Sequence, residues 1–155
     1  MSAGVRGIME QTDTSTQDIG PLAAKVLEYA GTVKELVCRA KEPGYSRDDW
    51  APLTAMIAVD EFRRVGIYRE TMTWQEYLDF MVPWAGSKDF DTRLRRMTEV
   101  GNLVFFEIEE HHIRDGADTV VNSMSVYEFN DEGKIRRLDV YLQGRLGSAA
   151  FTPPE

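Results

Sequence analysis

From Thr92 to Gln143 the chain alternates long β-prone runs with short turn signals, and this meander limits what the rest can do. The runs are RLRRMTEV, NLVFFEIEEHHI, TVVNSMSVYEF and KIRRLDVYLQ, with turns at RDGAD and NDEG. Three or four long adjacent strands joined so tightly form a curved antiparallel sheet. One face of such a sheet must be covered, and the cover has to come from the residues ahead of it.

Those residues read mostly as helices. Residues 1–19 are polar, rich in Ser, Thr and Gly, and lack a period, so a flexible tail is expected there. Pro21 opens a helix, and Leu22, Val26, Tyr29, Val33, Leu36 and Val37 recur at spacings of three and four along one face. It should end near Lys41, before the Pro43-Gly44 turn. Ser46 or Asp48 caps a second helix carrying Trp50, Leu53, Met56 and Ile57, with Pro52 in its first turn. The segment Asp60–Tyr68 predicts one strand, or two short ones around a bend at Gly66. Thr73 and Glu76 form a capping box for a third helix with Trp74, Tyr77, Leu78 and Met81 on its apolar side, ended by Pro83 and Gly86. The order predicts an α+β fold: a curved antiparallel β-sheet wrapped by three N-terminal helices. One domain spans 20–146, and 147–155 form a C-terminal tail.

Composition removes several function classes. A chain of 155 residues with 43% hydrophobic residues can bury a sizeable core as one domain. A net charge of −8 disfavours nucleic acid, which needs a positive footprint; Arg93, Arg95 and Arg96 read as a solvated strand edge. Cys38 is the only cysteine, so neither an internal disulfide nor a cysteine zinc cluster is available. Its place among Leu36 and Val37 predicts a buried apolar role. No run approaches the ~20 apolar residues of a membrane span, and the N-terminus lacks a secretory apolar segment. The simplest expectation is a soluble cytoplasmic protein without membrane partners.

Strand alternation assigns faces. In 102–113, Asn102, Val104, Phe106, Ile108, Glu110 and His112 share the more apolar face, which is placed inward. In 135–143, Leu138, Val140 and Leu142 point inward, while Ile135, Arg137, Asp139, Tyr141 and Gln143 point outward. Glu110 and His112 therefore stand two apart at the end of a greasy strand face. An ionisable pair there is costly unless paired or hydrated, and it can take and return a proton near neutral pH. A solvated strand end and a purely structural pair are the plainer alternatives. The Glu-Glu-His-His run supplies only two potential ligands per face, and the chain has no other histidine, so no metal site is expected.

With this order of elements the chain resembles the nuclear-transport-factor-2-like (NTF2-like) superfamily. That superfamily includes ketosteroid isomerases, SnoaL-type polyketide cyclases and limonene-epoxide hydrolases. The resemblance is best over Val104–Leu142, above all in SVYEFNDEGKIRRLDVYL, and looser over Leu53–Trp84. It implies a cone-shaped, cystatin-like α+β roll with an apolar pocket at one end. The implied lining is Phe106, Ile108, Glu110 and His112 from one strand, Val121, Ser123 and Ser125 from the next, and Leu138, Val140 and Leu142 from the last. Met81 and Trp84 complete it from the third helix.

Ketosteroid isomerases carry a general-base Asp where this chain reads Phe62-Arg63-Arg64-Val65. Ser125 matches their oxyanion-binding Asp, and Tyr29 lies on the helix that bears their oxyanion Tyr. Of the Asp-Arg-Asp trio of limonene-epoxide hydrolases, Glu110 matches one Asp, Ile108 replaces the Arg and Val140 replaces the second Asp. Asp139 is one residue off and on the other face. Arg64 lies near the family's polar pocket positions, where it could pair with Glu110 or hold an anionic group; the plainer alternative is that Arg63 or Arg64 points to solvent. Asp60 resembles a carboxylate common just before that strand.

Two functions follow from the resemblance. One is a cofactor-independent isomerase, cyclase, dehydratase or epoxide hydrolase acting on an apolar oxygenated ring compound. In it Glu110 and His112 shuttle protons, Ser125 steadies developing oxygen charge, and Arg64 and Asp60 assist. The alternative is a non-catalytic ligand-binding or dimerisation module. The outer face with Leu103, Phe105, Ile135 and Tyr141 is apolar for solvent, so a homodimer is expected in either case.

Overall fold

The computed structural model describes residues 19–87 and 89–144. The expected tails therefore lie outside the described residues, apart from Ile19, which packs against the core.

Helix α1 spans Pro21–Arg39 and buries Ala23, Val26, Tyr29, Leu36 and Val37, the stripe its periodicity predicts. Its N-terminus is capped from far along the chain. Gly20 offers no side chain; instead the Ala23 amide donates to Glu99 Oε1 at 2.8 Å. A carboxylate suits the positive end of a helix. A Cβ at Gly20 would stand 2.5 Å from that oxygen, so a larger residue there would have to displace the Glu99 carboxylate from the cap. Cys38, expected to be buried, is exposed. It lies about 100° round the helix from Val37, past the edge of the apolar stripe.

Ser46 caps the next segment through a capping box with Asp49. The segment is a 3₁₀ turn (Arg47–Trp50) running into the short α2 (Ala51–Thr54). The helix expected to reach Ile57 stops early because the sheet claims its end. Ile135 N–H donates to Met56 C=O at 3.0 Å, and Ala58 N–H donates to Ile135 C=O at 2.9 Å. Two short strands, β1 (Arg63–Val65) and β2 (Thr71–Met72), flank a turn at Gly66–Glu70. Helix α3 (Trp74–Gly86) starts at the predicted Thr73–Glu76 capping box. It continues through Pro83 rather than ending there; an exposed proline near a helix end forfeits one backbone bond without breaking the turn.

Strands β3 (Asp89–Val100), β4 (Leu103–Arg114), β5 (Ala117–Phe129) and β6 (Ile135–Gln143) form the meander. The sheet order is β2-β1-β6-β5-β4-β3. All pairings are antiparallel except β1 with β6, which is parallel, so the sheet is mixed. The direction of β1 is set earlier, where Ile57 already runs alongside Ile135 in a parallel bridge.

Two bulges adjust the faces, and both fall on arginines. The β3–β4 register skips Arg95, and the β5–β6 register skips Arg136. Each bulge inserts one residue opposite none and flips the phase beyond it. In β3, Leu94 and Met97 thereby both pack against the core. In β6, Ile135 and Leu138 are both buried, at 1% and 3% exposure. This corrects the outward assignment of Ile135. Asn102, expected to face inward, sits exposed in the β3–β4 turn, where its Nδ2 donates to Phe129 C=O.

The core is sealed where the helices meet the sheet, by Trp50, Leu53, Phe62, Trp74, Val104, Phe129 and Ile135. Trp74 Nε1 is satisfied by Thr54 Oγ1, and Trp50 Nε1 by Tyr45 Oη, so these large rings are buried without loss of a hydrogen bond.

Candidate functional site

Beyond Val104 the inward face of the meander lines a cavity of about 770 Å³, a size suited to a small organic molecule. Its sheet wall is built in rungs. Phe106 pairs with Ser125, and Ser125 with Val140; Ile108 pairs with Ser123, and Ser123 with Leu142; Glu110 pairs with Val121. All of these line the cavity, as do His112, Met81 and Trp84. Alternation alone explains the set, since β4 and β5 are regular through this stretch.

Glu110 and His112 meet in this wall. His112 Nε2 lies 2.8 Å from Glu110 Oε1, with side-chain exposures of 31% and 20%. The contact answers the cost of placing a carboxylate beside Phe106 and Ile108. It also sets a proton donor and acceptor within one transfer distance, facing a space a ligand can enter.

Arg64 also turns inward, whereas Arg63 is exposed. Its guanidinium lies 4.7 Å from the Tyr77 ring centroid, a cation–π contact. Its side chain is 16% exposed, and the nearest carboxylate, Glu70, is 3.9 Å away. Arg64 Nε is buried without a hydrogen-bond partner. Gly66 makes this arrangement possible, because a Cβ there would overlap the Glu70 carboxylate and crowd Arg64 Nη1.

Tyr29 and Tyr127 complete the polar part of the wall. Their rings meet edge-on at 5.5 Å, and each residue is 4% exposed. Burial pushes both phenols well above their usual range; Tyr77 adds to this, while the Arg64 charge opposes it. Glu110 also raises Tyr127, so the acid, the arginine and the phenol share one electrostatic neighbourhood. Tyr29 Oη is buried with no partner at hydrogen-bond distance and angle, although Tyr77 is close enough to influence it. Tyr127 was not among the expected lining residues, although it is the next residue in phase after Ser123 and Ser125. Tyr77 was expected only as part of an apolar helix face, and nothing in its spacing marks it as a cavity residue.

Two expected site residues lie elsewhere. Asp60 is exposed in the turn before β1, three residues ahead of the strand, and does not line the cavity. Leu138 is buried in the core beside Tyr127 rather than lining the cavity; it sits in the Tyr127–Arg64 rung, under the helices. Asp139 faces away from the cavity and pairs with Arg137 at 3.1 Å, so no second carboxylate joins Glu110 from β6.

On the opposite face of β4, His111 Nε2 lies 2.8 Å from Glu109 and its Nδ1 3.0 Å from Asp118. Hydrogen bonding to Asp118, then to Glu109, raises the His111 pKa. Among the described residues, no group of three or more His, Cys, Asp or Glu side chains is placed to hold a metal ion, and no helix is long and apolar enough to cross a membrane.

No family model matches the sequence, and no curated protein matches it. Solved structures do match the fold. A protein described as a SnoaL-like polyketide cyclase from Jannaschia sp. CCS1 superposes with a TM-score of 0.57 at 14% identity, over 81% of this chain and 90% of that one. An LEH-like epoxide hydrolase from M. tuberculosis gives a TM-score of 0.54 at 15% identity, over 76% and 84%. An NTF2-like protein of unknown function from Pseudomonas aeruginosa gives 0.57 at 13%, over 78% and 97%. The chain has the NTF2-like fold: an α+β cone whose bent sheet is wrapped by helices.

Proposed function

We propose that this protein is a cofactor-independent acid–base enzyme acting on an apolar, oxygenated ring compound held in the cavity. The reading is carried by the Glu110–His112 contact of 2.8 Å in the wall of an otherwise largely apolar cavity. A fold of this kind hosts many activities, so the argument rests on the site. Glu110 removes or delivers a proton at a ligand carbon or oxygen, and His112, in contact with it, exchanges that proton. Ser125 and Ser123, on neighbouring rungs, offer hydroxyl donors to a developing oxygen charge. Phe106, Ile108, Val121, Val140 and Leu142 hold the ring and exclude water. Isomerisation, cyclisation and dehydration need only these groups; hydrolytic epoxide opening needs in addition one water, which Glu110 would deprotonate as it attacks the ring carbon.

The test is turnover of a substrate found by screening cyclic ketones, enones and epoxides. Glu110→Gln and His112→Ala should each lower kcat by roughly 10²–10⁴. Unchanged turnover in both variants contradicts the reading.

A second reading has its own observation. On the outer sheet face Val120 and Tyr141 are 42% and 55% exposed, and the same face carries half-buried Leu103 and Phe105 further along the strands. These apolar side chains would join two copies of the chain, with the cavity serving only to bind a ligand. Tyr141→Arg should then convert a dimer into a monomer in light scattering, and a wild-type monomer would dismiss it.

A further inference from the structure

The cavity holds a cation that its protein surroundings leave under-used. A guanidinium carries five donors in a planar fork. Arg64 makes no hydrogen bond to any described residue, and its Nε is buried without one. Glu70, its nearest carboxylate, stands 3.9 Å away, is 37% exposed, and already accepts the Tyr68 amide at 2.9 Å. The Tyr77 ring supports the charge from one face but accepts no N–H in the fork plane. Tyr29, from a different element of the same cavity wall, adds a second buried hydroxyl, whose near polar neighbour Tyr77 is not at hydrogen-bond distance and angle. A folded chain seldom leaves two such donors side by side unless a third group completes them.

We propose that Arg64 and Tyr29 form a carboxylate-binding subsite, so that the ligand of this cavity is an organic acid with an apolar ring body. A carboxylate matches the guanidinium fork through two parallel N–H donations and can accept the Tyr29 hydroxyl as well. The rings of Tyr77 and Tyr127 flank the position. The remainder of the wall, through Phe106 and Ile108 to Glu110 and His112, takes the apolar body. The inference builds on the acid–base reading, because it places the acid group at Arg64 and leaves Glu110 and His112 to face another part of the molecule. A neutral ketone or enolate oxygen at the same place is the competing chemistry.

The test compares 2-naphthoate with methyl 2-naphthoate by calorimetry and by quenching of tryptophan fluorescence. Wild-type protein should bind the acid roughly ten- to a hundredfold more tightly than the ester, the worth of a hydrogen bond to a charged group. Arg64→Gln should abolish the preference, with acid affinity falling far more than ester affinity. Arg64→Lys should retain part of it. Tyr29→Phe, which removes only the hydroxyl, should reduce it severalfold in a protein with an unchanged melting curve. Equal affinities in wild type, no acid binding at millimolar concentration, or a preference that survives Arg64→Gln each overturn the proposal. The two readings separate cleanly. Acid preference lost in Arg64→Gln alongside turnover unaffected by Glu110→Gln leaves the subsite and removes the catalysis. The reverse pattern leaves the catalysis and removes the subsite.

Discussion

The tetrapeptide Glu109-Glu110-His111-His112 builds two carboxylate–imidazole pairs on one strand, back to back. Both close at 2.8 Å. The inner pair looks into the cavity with Phe106 and Ile108 beside it. The outer pair lies on the uncovered face, where His111 gains a second carboxylate, Asp118, across the hairpin. Residue types and contact length are therefore the same, and only the environment differs. The two pairs are similarly exposed, 22% and 34% for His111 and Glu109 against 31% and 20% for His112 and Glu110, so what sets the inner pair apart is the cavity beside it, where a ligand can replace water.

The sharpest way to press on the contrast is to cut the two faces next to the pairs. Phe106→Ala removes a ring that is 6% exposed and should cost about 3 kcal/mol of stability, the lower end for such a truncation because one side already borders a cavity. Phe105→Ala on the outer face should cost roughly 1 kcal/mol or less. Urea denaturation measures both, and equal losses would mean the two faces are equally packed.

A smaller effect is expected at the turn that fixes the phase of both pairs. Asp115 and Gly116 carry φ values of 52° and 81°, the left-handed pair of a tight hairpin. Gly116→Ala has open space for its Cβ but the wrong backbone preference, so it should destabilise by about 1 kcal/mol. A gain in melting temperature would contradict that account of the turn.

The smallest effect concerns protons on the outer pair. His111 has its pKa raised by Asp118 first and Glu109 second, above the ordinary 6.5. A raised folded value means its contribution to stability is full below the unfolded pKa and is lost as pH rises through the folded one. An NMR titration of His111 should show a midpoint above 6.5 in wild type, falling toward it in Asp118→Asn. A wild-type midpoint at or below 6.5 would show that the two carboxylates do not hold the proton.

The same contrast explains what could be read in advance. Where strands run regularly, as in β4, period two placed Phe106, Ile108, Glu110 and His112 together; Val121, Ser123 and Ser125 on β5 came from family likeness, in the phase that the regular β4–β5 register shows. Helix starts were equally legible, because Thr73–Glu76 and Ser46–Asp49 cap through local bonds. Where long-range pairing overrides local pattern, the reading failed. Arg136 bulges out and turns Ile135 inward, and no residue type announces that shift. The early end of α2 and the parallel docking of β1 are both set by Ile135, some eighty residues downstream of Ile57. Asp60 and Leu138 were placed in the site by family likeness, and each misses it through a turn or a rung that strand phase cannot specify. The polar part of the wall at Tyr29, Tyr77 and Arg64 arises from three separate elements packed together, which only tertiary structure can assemble.

The central claim is that the inner pair moves a proton to and from a ligand while the outer pair does not. Solvent-deuterium exchange at the α-carbon of a bound cyclic ketone measures that transfer directly. Wild-type protein and Glu109→Gln should accelerate exchange equally, and Glu110→Gln should fall to the uncatalysed rate. Exchange that persists undiminished in Glu110→Gln, or that disappears in Glu109→Gln, would contradict the account.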